Sequence, residues 1–171
     1  MLSHSQTVPI SHLEVKCLTI PADSLESDGT LEWDRTTIVL VQASGGGKQG
    51  LGYTYADPAT ATLIHGTLAP HVKGMDGMSP PAVHMAMWRR LRNLGRPGVC
   101  STAISAIDCA LWDLKARLLD ISLVTVLGRI REAALRLGES GYSAREDEDW
   151  PRSRARCGAR THCPQRHWPP S

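Results

Sequence analysis

Apolar and polar positions alternate from the first ordered-looking stretch of the chain. In His12–Ile20, Leu13, Val15, Cys17 and Thr19 fall on one side, with Glu14, Lys16 and Leu18 on the other. That period of two predicts a strand. Pro21 is expected to end it. Ala22–Arg35 is polar, carries the turn signal Ser27-Asp28-Gly29, and reads as a loop long enough to be functional. Thr36–Ala43 is β-branched and predicts a second strand. Ser44-Gly45-Gly46-Gly47-Lys48 is a turn, and Gly50–Tyr55 a third strand. Three consecutive strands joined in this way predict an antiparallel meander.

The period then changes to that of helices. Asp57 can cap a helix with Pro58 at its first position and Ala61, Ile64 and Leu68 on one face. Ser79, followed by Pro80, can cap a second through Val83, Met87, Trp88 and Leu91. Gly95-Arg96-Pro97-Gly98 interrupts the chain. A third helix, Ser101–Leu119, carries Ala103, Ala106, Ile107, Ala110, Leu111, Leu114 and Leu118 at helical spacing. Its small residues allow close backbone approach, so it should be central. A short turn, Leu123–Leu127, follows. Strands followed by helices define an α+β domain, a three-stranded antiparallel meander covered on one face by a helical layer.

Composition changes this picture at the carboxyl end. Residues 145–171 contain no Leu, Ile, Val or Met and are dense in Arg, Pro, Trp, Cys and His. Such a segment cannot bury enough surface to offset its ordering entropy. The expected organisation is one folded domain over 1–128 and a remnant linker with a disordered tail over 129–171. Elsewhere composition mainly excludes. The chain lacks Phe, but Trp, Leu and Ile can fill the core. A net charge of +2 gives no electrostatic case for nucleic acid or a membrane surface. No run is apolar for the roughly 20 residues a membrane span needs. The five cysteines have no regular spacing, which argues against a disulfide scaffold and for the reducing cytoplasm.

Several blocks together resemble one family. The helix Ala103–Leu118 (AISAIDCALWDLKARL) is similar to the signature helix near the end of the amino-terminal cap domain of mandelate racemase/muconate lactonizing enzymes, in the enolase superfamily. Arg92–Val99, Ser27–Val41 and Gly50–Asp57 resemble the same family's earlier blocks, in the same order. The resemblance implies a cap whose loops close over the substrate and a (β/α) barrel that carries the chemistry. In the family that chemistry is Mg²⁺-dependent removal of the proton beside a carboxylate, giving racemases and acid-sugar dehydratases. The implied partners are small carboxylate substrates and further copies in a homo-oligomer. The substrate-capping positions it implies are Leu25, Glu26, Ser27 and Asp28 with Tyr53 and Tyr55. It implies no catalytic residue and no metal ligand in this chain, because a barrel takes roughly 200–250 residues. The chain is therefore expected to be an inactive fragment, with docking onto intact family members as the alternative. Back-translated and shifted by one nucleotide, Ala144–Pro169 can encode a strand with the family's Lys-x-Lys motif, a Gly turn and an Arg-rich helix, so the tail is read as out of frame.

Rival motifs carry less. Gly45-x-Gly47-x-x-Gly50 matches a dinucleotide fingerprint, but a strand follows it where that motif needs a helix, so it reads as a hairpin turn. Cys157, His162, Cys163 and His167 lack paired zinc-knuckle spacing. Arg152, Arg154, Arg156, Arg160 and Arg166 with Trp150 and Trp168 imitate a nucleic-acid arm, but an unstructured tail accounts for them. On the signature helix, Asp108 is expected to pair with a nearby Lys or Arg, and Asp113 to cap a backbone group or meet the barrel.

Overall fold

A computed structural model describes residues 7–130. Three strands, β1 (His12–Ser27), β2 (Glu32–Gly45) and β3 (Lys48–Tyr55), form an antiparallel sheet in the order β1-β2-β3. Helices α1 (Pro58–Leu63), α2 (Ala69–Val72), α3 (Pro80–Arg90), α4 (Val99–Leu119) and α5 (Leu123–Leu127) follow. The α+β meander with its helical layer is the architecture expected from the sequence.

The β2–β3 turn is made by two glycines. Gly45 pairs with Lys48, leaving Gly46 (φ 56°) and Gly47 (φ 75°) as the whole loop. Both occupy left-handed backbone, as a two-residue hairpin requires for its twist to match the strands. The glycine-rich motif is thus a turn, and Gly50 belongs to β3.

Gly50 and Gly52 have a different role. A methyl group at Gly52 would run into the Ala106 carbonyl and stand 2.6 Å from the Ala110 nitrogen. One at Gly50 would meet the Ala110 carbonyl and lie 2.7 Å from the Leu114 Cα. The backbone of α4 therefore lies directly on the backbone of β3. The spacings match: two strand residues cover about 6.7 Å and four helix residues about 6 Å. As β3 advances from Gly50 to Gly52, α4 runs back by one helical step. Ala106 and Ala110 complete the fit from the helix side, as their small size suggested.

Around this contact Leu13, Val39, Val41 and Ala43 from the sheet meet Ile64, Leu68, Val72, Val83, Met87, Leu91, Ile107, Leu111 and Leu114. The fully buried core is aliphatic with Met87; Trp88 only reaches its rim, where Arg96 lies 4.4 Å above the ring. Of the residues able to replace Phe, Leu and Ile fill the core and tryptophan stays at its edge.

The helix starts are partly as expected. The Asp57 carboxylate accepts from the Ala59 N–H at 2.8 Å, with Pro58 at the first position of α1. A π turn, Ile64–Leu68, joins α1 to α2. It precedes Pro70, which has no N–H to give and whose ring would crowd the carbonyl four residues back, so the helix widens there. Ser79 stands at the start of α3 but caps nothing; its hydroxyl donates to Asp76 Oδ2 at 2.8 Å.

The largest departure is at Pro21. The strand does not end there, and Ala22–Arg35 is not a loop. β1 runs through Pro21 to Ser27, and β2 begins at Glu32. Two circumstances allow this. β1 is an edge strand, where a proline's missing donor costs least, and the ladder slips between Pro21 and Glu26. While β1 advances across that slip, β2 moves only from Arg35 to Trp33, so β1 carries extra residues as a bulge.

Paired glycine substitutions test the backbone contact. Gly52→Ala is expected to destabilise the domain by about 3 kcal/mol, the upper range for overpacking. Gly66→Ala, where nothing lies within 4 Å of the added methyl, should be neutral or stabilising by up to ~1 kcal/mol. Equal urea midpoints for the two variants would refute the packing account.

Candidate functional site

The expected capping positions occupy two places. Leu25, Glu26, Ser27 and Asp28 lie at the end of the β1–β2 hairpin, and Tyr53 and Tyr55 on β3. Tyr55 pairs with Ile38, whereas the hairpin continues to Glu32, so its tip projects roughly 20 Å beyond the end of β3. The structure does not bring the two groups together. The tyrosines instead contact each other edge to face, with ring centroids 6.0 Å apart.

The tip is held by its own polar groups. Trp33 Nε1 donates to Glu26 Oε2 at 2.6 Å across the strands. Ser27 Oγ accepts from the Gly29 N–H at 3.1 Å. Asp28 Oδ1 accepts from the Thr30 hydroxyl at 2.6 Å and from the Leu31 and Thr30 N–H groups, each at 2.9 Å. Those donors, the Thr30 hydroxyl first, hold the Asp28 carboxyl well below its usual range, at about 2. Asp28 is therefore a permanent anion turned onto its own turn. Its lone pairs serve the loop, and it is not a proton shuttle near neutral pH. Among the polar residues of the tip two apolar side chains stand exposed: Leu25 is 62% exposed and Leu31 70%. Sequence reasoning missed Leu31 and Trp33; an apolar residue just after a turn and a Trp seven residues from a Glu were the available signals.

Helix α4 carries the other candidates. Asp113 Oδ2 accepts from the Leu51 N–H at 2.8 Å and from Arg117 Nε at 2.8 Å. It thus satisfies an outward N–H of the edge strand, the backbone-capping role expected of it. Asp108 pairs with His84 of α3, Nδ1 to Oδ1 3.3 Å, and not with the Lys or Arg expected. Lys115 lies 5.2 Å from the centroid of the Trp112 ring. The Asp76 carboxyl ties the start of the chain to the helical layer. Partial burial pushes its pKa up, but the Val8 and Met78 N–H groups, the Ser79 hydroxyl and the charge of Lys115 outweigh this and hold it below its usual value.

Two open depressions flank β3. One, of about 790 Å³, is lined by Leu51, Tyr53, Cys109, Trp112, Leu123 and Leu127, with Asp108, Asp113 and Arg117 among its polar groups. The other, of about 580 Å³, is lined by Ser11, Ser44, Lys48, Gln49, Arg117 and Asp120. Among the described residues no three His, Cys, Asp or Glu side chains converge, so these residues do not fit a magnesium ion, which asks for clustered oxygen donors. Nor is any described helix long and apolar enough to cross a membrane. The Cys157, His162, Cys163 and His167 set, the arginines of the tail and its out-of-frame reading lie outside the described residues.

An antiparallel meander under helices, with a hairpin projecting from it and no converging catalytic groups among the described residues, defines the class of an enolase-type amino-terminal cap. Residues 25–128 match the mandelate racemase / muconate lactonizing enzyme N-terminal domain, and the chain belongs to that family. It is similar to a mandelate racemase/muconate lactonizing enzyme-like protein from Rubrobacter xylanophilus, with 52% identity and a TM-score of 0.68, covering 69% of this chain and 33% of that one. A Streptomyces coelicolor racemase with bound magnesium is 33% identical, with a TM-score of 0.61 over 63% of this chain and 32% of that one. A 3,6-anhydro-alpha-L-galactonate cycloisomerase from Streptomyces coelicolor is 32% identical over 62% of this chain and 31% of its own length. An L-talarate/galactarate dehydratase from Salmonella typhimurium is 30% identical over 61% and 27% respectively. The chain thus spans about a third of the length of the relatives it matches.

Asp28 sets the pH behaviour of the tip. Its folded pKa lies below the ordinary 3.8, so the turn's stabilisation is complete above about 3.8 and lost as pH falls toward about 2. Carbon-detected NMR titration should place its midpoint near 2. Asp28→Ala should speed amide exchange at Thr30 and Leu31 while leaving the α4 amides protected. A midpoint at the ordinary carboxylate value would refute the assigned turn.

Proposed function

We propose that this chain is the substrate-capping part of an acid-sugar enzyme of its family, and that it does not turn over substrate by itself. The intact enzyme would remove the proton beside a carboxylate of a hydroxy or sugar acid, as a dehydratase or racemase. The named relatives support that substrate class: a 3,6-anhydro-alpha-L-galactonate cycloisomerase and an L-talarate/galactarate dehydratase. The observation that carries the capping role is the projecting hairpin. Its turn is held by the Trp33–Glu26 bond and by the Ser27 and Asp28 acceptors, and it leaves Leu25 and Leu31 exposed. Such a tip covers a substrate and excludes water; it donates and accepts no proton. Tyr55, at the end of β3, is the strand residue nearest that end of the sheet, with Tyr53 behind it. Four of the described acidic groups, Asp28, Asp76, Asp108 and Asp113, are bound within the domain. The base and the magnesium ligands would belong to a barrel.

A second reading, docking onto intact family members, is favoured by the apolar depression between β3, α4 and α5. Co-purification of the full chain with the intact Rubrobacter relative would support it, and separate elution would remove it.

Two measurements test the capping role. The full chain with Mg²⁺ and galactarate is expected to give no dehydration or racemisation above background. In the intact cycloisomerase carrying residues 25–31 of this chain, Leu31→Asp should raise KM about tenfold with little change in kcat, the mark of lost uniform binding. Turnover by the chain alone, or an unchanged KM, would overturn the proposal.

A further inference from the structure

Residues 7–11 belong to none of the strands or helices, yet they are bound along their length. The Val8 N–H donates to Asp76 Oδ1 at 2.9 Å, and the Val8 carbonyl accepts from the Gly77 N–H at 2.7 Å. The Ile10 N–H donates to the Met75 carbonyl, and the Ile10 carbonyl accepts from the Gly74 N–H, both at 2.8 Å. Pro9 stands between them, where the alternation of an extended segment turns its nitrogen the other way and its missing donor is not needed. At Ser11 the N–H donates to the Ser44 carbonyl at 2.8 Å, and β1 begins.

Two side chains of this segment close a seam. Ile10 is buried and Val8 half-buried. A methyl group added at Gly46 would stand 2.9 Å from Val8 Cγ1 and 2.7 Å from Leu118 Cδ2. One added at Gly77 would stand 3.3 Å from Leu114 Cδ2 and 3.6 Å from Ile10 Cγ1. Val8 and Ile10 therefore lie where the β2–β3 turn, the loop before α3 and the last turns of α4 meet. A single carboxylate serves this place. Asp76 Oδ1 accepts from Val8 and also from the Met78 N–H at 3.0 Å, and Oδ2 accepts from the Ser79 hydroxyl at 2.8 Å. Loss of that carboxylate leaves three donors without their acceptor at once, on the segment and at the start of α3.

We propose that residues 7–11 form a latch that opens as one unit on the Asp76 carboxylate while the α4–β3 contact stays closed, and that acid releases it. Local opening of this kind selects segments tied to loops in preference to the core, and this segment's hydrogen bonds between Val8 and Ile10 run only to residues 74–77. The hinge is Ser11, and opening bares the apolar side chains of Leu114 and Leu118. The charged group acting on Asp76 is Lys115 of α4. Residues 7–11 and 77–83 carry no ionisable side chain, Lys73 precedes Asp76 on its own loop, and the β2–β3 turn adds only Lys48. Burial raises the Asp76 pKa, and the three donors with Lys115 outweigh it, so the folded value lies below the ordinary 3.8. The latch is thus fully closed above 3.8 and loosens as pH falls below it. It is independent of the capping reading, because it lies at the opposite end of the sheet from the hairpin tip.

Hydrogen exchange of the full chain tests it. The Ile10, Gly74 and Gly77 amides are expected to share one protection factor, lower than that of the Ala106 and Ala110 amides on α4. Asp76→Ala should reduce protection about tenfold or more at all three and leave α4 unmoved. In the unaltered chain the three amides should lose protection together between about pH 4 and 2, ahead of α4. Asp76→Asn keeps an oxygen for the Val8 and Met78 N–H groups but cannot titrate, so that acid step should vanish. The acid profile and the Asp76→Asn comparison decide the matter should Asp76→Ala fail to fold. Unlike protection at the three amides, or protection lost only in step with α4, would overturn the latch. An acid step that persists in Asp76→Asn would overturn its control by this carboxylate.

Discussion

The approach of one backbone to another organises this domain. Gly50 and Gly52 have no side chains to hold α4 off β3, so the helix sits with its own peptide groups against the strand. The rest follows from that closeness. Ala106 and Ala110 must be small where they meet the glycines, and an aliphatic core surrounds the contact with Trp88 at its edge. The same closeness brings the Asp113 carboxylate within reach of the Leu51 N–H, so the edge of the sheet is tied to the helix by a hydrogen bond as well as by packing. Burial of the helix stripe and pairing of an exposed backbone donor thus come from one geometric fact.

That fact was partly legible in the sequence. The small residues of Ala103–Leu118 announced a central helix, and Asp57-Pro58 announced a helix start. The glycine partners on β3 were passed over, because the glycine run was weighed as a phosphate loop or a turn and its last member belongs to neither. The long hairpin was not legible for a physical reason. Alternation reports a strand only where one face is buried, and among the described residues no layer covers either face of 22–31, so its residues are under no pressure to alternate. Pro21 then looked like a stop, although an edge strand with a bulge accommodates it. Asp108 pairs with a histidine from α3 instead of a nearby cation in the sequence, which no spacing rule on α4 alone reveals.

The chemistry divides along the same line as the architecture. Asp28, Asp76 and Asp113 use their carboxylates as structural acceptors, each bound to donors within the domain. Proton removal from a sugar acid needs groups that are free to exchange protons, and under the proposed capping role this domain would contribute sterically and dielectrically, by shaping a volume and keeping water out of it. The capping reading and the family membership meet in that division of labour.

The hairpin also has a mechanical character. Past the end of β3 it is a two-stranded ribbon supported at one end only, and such ribbons are only marginally rigid on their own. It behaves as a cantilever, so a small twist at its root becomes a large excursion at Leu25 and Leu31. The slipped register between Pro21 and Glu26 lies partway along this beam and lowers its bending stiffness there. The tight turn at Asp28 ties the free end together, so a bend in the shaft would carry the extremity as one piece.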